Sequence, residues 1–287
     1  MAIRMIALDM DGTLLDTTSR VPAENRRAVA EAAAHGIEIA IVTGRRYDFA
    51  RPLVEDLPRE IQMIVSNGAL IKSKNGETVQ RRLLPVAAAR RVLESTAEFR
   101  EFAAVVFDRP RAAQVMMEKI DFDDPFRGKY LQRNREFIEA MTPLENCLNG
   151  EDPVQVMFTG RCRAMRDVKQ ALERIAAAKG DATDATEYTL SLTEYRDRDL
   201  SMVDVLQRGV TKAAALEEWA RRRGIQREEV MAMGDNFNDL EMLEWAGHPV
   251  VMANGVAELK NRGWETTLGN DECGVAAAIR KFVTGGK

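Results

Sequence analysis

The chain has 287 residues, of which 45% are hydrophobic and 30% charged, and its formal net charge at pH 7 is −4. These values are typical of a globular protein with one large domain or two ordinary ones, and they argue against a dedicated nucleic-acid-binding protein, which would carry a basic excess. Three widely spaced cysteines argue against a disulfide framework or a zinc cluster, and no apolar run is long enough to cross a membrane. We therefore expect a cytoplasmic protein.

The first third of the chain alternates apolar and amphipathic segments. The apolar segments predict buried strands, and the amphipathic ones predict helices. The strands are expected at 4–8, 37–44 and 61–68, and the helices at 22–36 and 45–57. Apolar strands that do not alternate with polar residues indicate a parallel sheet covered on both faces.

The pattern changes after residue 68 and returns near residue 209. Asn75-Gly76 predicts a hairpin turn, and strands with intervening helices up to residue 195 indicate an α+β module. Helices at 211–224 and 238–247, each followed by an apolar strand, then resume the first pattern. We therefore expect an α/β fold with a doubly wound, Rossmann-like parallel-sheet core. The predicted core is 1–84 plus 197–287, and the predicted insertion is 85–196.

Polar side chains follow the predicted strands of this core. In a doubly wound sheet, ligands bind outside the carboxyl ends of the strands, so these side chains are expected to converge. They are Asp9 and Asp11 after the first strand, Thr43 and Gly44 after the second, Lys212 at the start of a helix, and Asp235, Asn238 and Asp239 after the late strand.

Carboxylates that converge in this way need a cation. Oxygen ligands without histidine or cysteine favour Mg²⁺, and a nearby lysine and threonine suit a phosphoryl group. One aspartate can then serve as nucleophile and form an aspartyl-phosphate, while a second serves as general acid and base.

Each feature alone also has a simpler interpretation. The Asp-x-Asp-Gly stretch is compatible with an ordinary turn, and Thr43 with a helix N-cap. Lys212 is compatible with a solvated lysine, and Asp235 and Asp239 with acids near a helix N-terminus. The common placement at strand ends favours the site.

Four segments resemble the motifs of the haloacid dehalogenase (HAD) superfamily. They read DMDGTLLD at 9–16, VTGR at 42–45, VTKAAAL at 210–216 and GDNFNDLEML at 234–243. They are similar to the Cof-type phosphatases, in which a large α/β cap of the C2B type is inserted into the core. The stretch SNGALI at 66–71 is also similar to that group. Two C-terminal stretches depart from the pattern, Ala253-Asn254-Gly255 and Cys273-Gly274-Val275, which leaves the subgroup and the substrate open.

The resemblance implies a role for each matching residue. Asp9 is the nucleophile and a Mg²⁺ ligand, and Asp11 is the acid and base, with its backbone carbonyl on the metal. The other implied roles are phosphate binding by Thr43, Gly44, Lys212 and Asn238, metal binding by Asp235, and support of the metal or of Lys212 by Asp239.

The resemblance leaves several activities to weigh. Asp11 favours a phosphatase or a mutase, because P-type ATPases carry threonine there and dehalogenases lack this aspartate. The leading hypothesis is a Mg²⁺-dependent phosphatase of a small phosphorylated metabolite, such as a sugar phosphate, in a monomer or homodimer. The alternatives are a phosphomutase, a sucrose-phosphate or mannosyl-3-phosphoglycerate type of phosphatase, and a non-catalytic phosphosugar-binding regulator.

Overall fold

The computed structural model describes residues 2–110, 112–178 and 187–283. The described chain forms two units. The first unit combines the N-terminal segment, through Arg81, with the C-terminal segment, from Thr211 onward, and the second unit is Arg82–Val210.

The strands and helices are numbered in chain order. The strands are β1 (Met5–Leu8), β2 (Glu38–Val42), β3 (Gln62–Val65), β4 (Leu70–Ser73), β5 (Thr78–Arg81), β6 (Ala103–Val106), β7 (Val115–Met117), β8 (Ile138–Ala140), β9 (Gln155–Gly160), β10 (Tyr188–Tyr195), β11 (Leu200–Gln207), β12 (Val230–Gly234), β13 (His248–Val251) and β14 (Glu265–Thr266). The α-helices are α1 (Ala23–Ala34), α2 (Tyr47–Ala50), α3 (Val86–Ser95), α4 (Gly128–Arg133), α5 (Cys162–Ala178), α6 (Lys212–Arg222), α7 (Leu240–Trp245), α8 (Ala257–Lys260) and α9 (Gly274–Phe282).

The sheet of the first unit has the strand order β14-β13-β12-β1-β2-β3-β4-β5. It is parallel from β14 to β3, and the hairpin β4–β5 adds two antiparallel strands. The side chains of β1, β3 and β12 are buried throughout, which explains the unbroken apolar sequences of β1 and β12. The carboxyl ends of β1, β2 and β12 therefore lie side by side. The predicted α/β fold with a parallel-sheet core is confirmed.

Two local features of the first unit bear on the predictions. The Asn75-Gly76 hairpin is confirmed, with Gly76 at φ +95° between β4 and β5. The helix expected at 45–57 is shorter, because α2 ends at Ala50 and a 3₁₀ turn follows, with Pro52 in its first turn. Proline has no backbone N–H and cannot continue the α-helical hydrogen bonds.

The second unit contains a separate, mainly antiparallel sheet with the order β10-β11-β9-β6-β7-β8. One face of this sheet packs on α3 and α5, around Val105, Phe158 and Val203. Strand β11 pairs with β9 and β10, so this sheet extends past the boundary predicted at residue 197. In the described ranges, no helix combines the length and apolar character needed to cross a bilayer.

Candidate active site

The loop after β1 places Asp9 at the carboxyl end of the sheet. Its N–H donates to the carbonyl of Met233 at 3.1 Å, which continues the pairing of β1 with β12, and its side chain is buried. Gly12 has φ +79°, and a Cβ at this position would lie 2.3 Å from Oδ2 of Asp235. Glycine is therefore required for the loop to pass so close to the Asp235 carboxylate.

Lys212 lies in the first turn of α6 and is buried. Thr211 directly precedes the helix and caps it, because its side chain accepts the N–H of Ala214 at 3.1 Å. The Lys212 Nζ donates to Oδ1 of Asp9 and to Oδ1 of Asp239, each at 2.6 Å. Only 1% of the lysine side chain is exposed, so its charge depends on these two carboxylates.

Asp239 fixes the loop after β12 as well as Lys212. Its Oδ2 accepts the N–H groups of Asp235 and Asn236 at 3.0 and 3.1 Å. A Cβ on Gly234 would lie 2.6 Å from the Cβ of Asp239, so the tight turn also needs this glycine. Asp239 thus links Lys212 to the backbone that carries Asp235.

Asp9, Asp235 and Asp239 form a buried acidic cluster, in which one carboxylate oxygen of each residue lies within 4.8 Å of one oxygen of each of the other two. Burial and the Asp239 carboxylate raise the pKa of Asp9 to about 8, although Lys212 acts in the opposite direction. Burial and the Asp9 carboxylate also raise the pKa of Asp235. Burial alone would lower the pKa of Lys212, but Asp239 and Asp9 outweigh it and raise that pKa.

The charges in this cluster suit a divalent cation. Lys212 supplies one positive charge against three carboxylates, and the raised pKa values express the cost of ionising them all without a further cation. The donors are oxygens alone, which is the ligand set of a hard ion.

Thr43 and Gly44 lie at the end of β2, beside a strained turn. Oγ1 of Thr43 accepts the N–H of Arg45 at 3.1 Å, so the hydroxyl hydrogen is left to donate to a ligand. The turn at Ser66, Asn67 and Gly68 has φ values of 50°, 52° and 99°. Non-glycine residues seldom adopt such values, and they occur mainly where the surrounding structure imposes them.

Asn67 connects this turn to the loop after β12. Its Oδ1 accepts from Nδ2 of Asn238 at 3.3 Å, and a Cβ on Gly44 would lie 3.1 Å from the same oxygen. The N–H of Asn67 donates to the carbonyl of Thr43 at 3.0 Å, so the predicted phosphate-binding residues Thr43, Gly44 and Asn238 share one neighbour, Asn67.

Asp11 does not belong to the group of three close carboxylates and pairs with Arg45 instead. Nε of Arg45 donates to Oδ2 of Asp11 at 2.6 Å, and Nη2 donates to Oδ1, which makes a bidentate ion pair. The side chains of Asp11 and Arg45 are 28% and 15% exposed, far more than that of Lys212.

A model of a known protein family matches most of this chain. The model of the haloacid dehalogenase-like hydrolases matches residues 6–279. The chain belongs to this family. The match spans both segments of the first unit and the whole second unit of this HAD-like hydrolase.

Several characterised or named proteins resemble this HAD-like hydrolase over nearly its whole length. The 5-amino-6-(5-phospho-D-ribitylamino)uracil phosphatase YwtE of Bacillus subtilis is 28% identical over 99% of each chain. The HMP-PP phosphatase of Serratia proteamaculans is 30% identical over 90% of this chain and 86% of its own. These matches confirm the predicted family and the predicted enzyme class, a phosphoric monoester hydrolase.

Solved structures show the same fold. A haloacid dehalogenase-like hydrolase from B. subtilis has a TM-score of 0.78 at 24% identity, covering 98% of this chain and 100% of that one. The HAD subclass IIB sugar phosphatase BT4131 has a TM-score of 0.75 at 22% identity, covering 97% and 98%.

Sequence reasoning on this HAD-like hydrolase missed two contacts of the site. Arg45 belongs to the VTGR motif, but the motif does not indicate its pairing with Asp11. Asn254 departs from the family pattern, and its Nδ2 donates to the carbonyl of Gly12 at 2.8 Å. Arg45 follows Thr43 by two residues at the carboxyl end of β2, and this position is the feature of the sequence that could have placed Arg45 near the site. The individual catalytic and binding roles stay predictions.

Proposed function

We propose that this HAD-like hydrolase is a Mg²⁺-dependent phosphatase of a small phosphorylated metabolite, a sugar phosphate or related phosphoester. The observation that carries the proposal is the buried Asp9 carboxylate held by Lys212 within the acidic cluster. The names of relatives such as the HMP-PP phosphatase support a small phosphorylated substrate.

In the proposed reaction Asp9 is the nucleophile. Its Oδ1 accepts the hydrogen bond from Lys212, which leaves Oδ2 to attack phosphorus. The bond from phosphorus to the leaving oxygen breaks, Asp11 gives that oxygen a proton, and an aspartyl-phosphate remains on Asp9. Asp11 then takes a proton from water, whose oxygen attacks phosphorus and releases phosphate and Asp9.

The remaining residues hold the phosphoryl group and the cation. The Thr43 hydroxyl and the Gly44 N–H are proposed to donate to phosphoryl oxygens, with Asn238 beside them and Lys212 offsetting negative charge. Asp9, Asp235 and the carbonyl of Asp11 would hold Mg²⁺, with Asp239 supporting the loop of Asp235. When bound, the cation supplies positive charge that favours negative charge on the phosphoryl oxygens.

Turnover of an aryl phosphate tests this function. We expect hydrolysis that depends on Mg²⁺, that stops in excess chelator, and that falls by at least about 10³-fold in Asp9→Asn, since that variant loses the nucleophile. Asp56→Asn is the matched control, because it neutralises an exposed aspartate of the same unit. Full activity of Asp9→Asn, or in chelator, would contradict the mechanism.

A screen of phosphorylated metabolites for released phosphate then addresses the substrate. Conversion of one sugar phosphate into an isomer, dependent on a bisphosphate primer, would indicate a phosphomutase. Tight binding of a sugar phosphate with no product would indicate a regulatory protein.

A further inference from the structure

Arg45 is a charged residue of the loop between β2 and α2, and the proposed reaction leaves it without a role. It follows Thr43 and Gly44 directly, and its own N–H is bonded to the Thr43 hydroxyl oxygen. An anion held by Thr43 and Gly44 therefore lies beside the segment that carries a guanidinium.

The pairing of Arg45 with Asp11 cannot persist through the proposed reaction. Both carboxylate oxygens of Asp11 accept from the guanidinium. A general acid must carry its proton on one oxygen and direct it at the leaving group, and arginine keeps its protons and cannot supply one. The ion pair therefore represents the protein before substrate binds.

A phosphate monoester is a strong competitor for this guanidinium. The phosphoryl group carries up to two negative charges, and its oxygens match the fork of an arginine as well as a carboxylate does. The pair is also more accessible, with 15% of the Arg45 side chain exposed, than the Asp9–Lys212 pair, in which Asp9 is 7% and Lys212 1% exposed. The guanidinium lies 4.7 Å from the ring centroid of Phe49, which supports it from another side.

We propose that Arg45 changes partner when substrate binds. Its guanidinium leaves the Asp11 carboxylate, donates two hydrogen bonds to the terminal phosphoryl group, and thereby releases Asp11 to face the leaving oxygen. This inference rests on the proposed function, and it adds a phosphate-binding residue that favours doubly charged monoesters over singly charged diesters.

The test measures the affinity of inorganic phosphate, in the presence of Mg²⁺, by isothermal titration calorimetry. All variants carry Asp11→Asn, so that the charge of Asp11 contributes equally to each. Adding Arg45→Met should weaken phosphate binding by about tenfold or more, the effect of losing a charge-assisted hydrogen bond. Arg45→Lys keeps the positive charge but not the paired N–H donors of the guanidinium. Its phosphate affinity, in the Asp11→Asn background, should lie between that of Asp11→Asn alone and that of the Arg45→Met combination.

Arg59→Met in the same background is the matched control, because it removes an exposed arginine from the same unit. Equal phosphate affinity for the Arg45→Met and Arg59→Met combinations would overturn the inference. If the Arg45→Met combination does not fold, Arg45→Lys decides: an affinity equal to that of Asp11→Asn alone would overturn the inference.

The wild-type protein separates this inference from the proposed function. If it hydrolyses aryl phosphate and binds phosphate while the Arg45 variants bind equally well, the inference alone fails. If the wild-type protein does neither, the proposed function fails and the inference fails with it.

Discussion

Replacing Lys212 with methionine tests how the acidic cluster is stabilised. The substitution keeps a long apolar side chain but removes the ammonium group that donates to both Asp9 and Asp239 at 2.6 Å. Three buried carboxylates, with one oxygen of each within 4.8 Å of the others, then remain without that positive charge.

The expected loss of stability follows from the burial of the partners. Removing one partner of a buried ion pair costs about 3–5 kcal/mol, because it leaves charge without compensation. At about 2–4 °C per kcal/mol for a unit of this size, the melting temperature should fall by roughly 10 °C. Lys281→Met, which breaks the exposed pair with Glu265, should cost less than about 1 kcal/mol.

Tryptophan fluorescence can follow this unfolding selectively. The three tryptophans of the chain, Trp219, Trp245 and Trp264, all lie in the first unit. Thermal unfolding in excess chelator therefore reports the unit that contains the cluster, separately from the second unit.

A double-mutant cycle with Asp239→Asn makes the prediction sharper. In the wild type this change should destabilise the protein, because Lys212 loses a partner. In Lys212→Met it should stabilise the protein by about 1–2 kcal/mol, because it removes one of the uncompensated charges while an amide oxygen can still accept from the Asp235 and Asn236 N–H groups. Equal destabilisation in both backgrounds would refute the argument that charge dominates this cluster.

Three further predictions concern pH and backbone geometry. The pKa of Asp9 is raised to about 8, so the folded protein without metal holds a proton that the unfolded chain releases. In excess chelator, the free energy of unfolding should therefore fall as the pH rises from 6 to 8, by at most about 1.4 kcal/mol per pH unit. Asp9→Asn should flatten this slope when melting is measured over a series of pH values. Gly68→Ala should destabilise the first unit by more than about 2 kcal/mol, because its Cβ would lie 2.3 Å from the carbonyl oxygen of Thr211; Gly36→Ala, with φ +80° but open space, should cost less in the same assay. Hydrogen bonds from Arg166 and Arg196 lower the pKa of Glu194, so its charge stabilises the second unit fully above about pH 4.5, and this stabilisation is lost as the pH falls through the folded-state value. Glu194→Gln should therefore melt earlier than wild type at pH 7, and the difference in melting temperature should shrink as the pH is lowered below about 4.5, as followed by circular dichroism.

The first unit could be predicted in detail because its strands are buried on both faces. Continuous apolar segments such as β1 and β12 predict strands that are buried in a parallel sheet. Parallel strands bring their carboxyl ends to one edge of the sheet. The clustering of Asp9, Asp235, Asp239 and Lys212 follows from that geometry.

Features that depend on side-chain direction or on mixed polarity could not be predicted. Asp11 and Arg45 both follow strands, but sequence position does not say that one side chain turns toward the other. Strand β11 includes the buried Asp204, which accepts from Gln155 at 2.7 Å. A charge inside a strand is stable only with such a partner, and the partner lies 49 residues away in the sequence.

The order of the acidic cluster along the chain has a consequence for protein synthesis. Asp9 leaves the ribosome early, whereas Lys212, Asp235 and Asp239 follow only after the whole second unit. Strand β1 lies at the middle of the sheet, and its neighbour β12 is likewise synthesised only after the second unit. A nascent chain that stops before Thr211 therefore lacks Lys212, Asp235 and Asp239 as well as three of the eight strands, β12, β13 and β14, so it cannot assemble the buried acidic cluster.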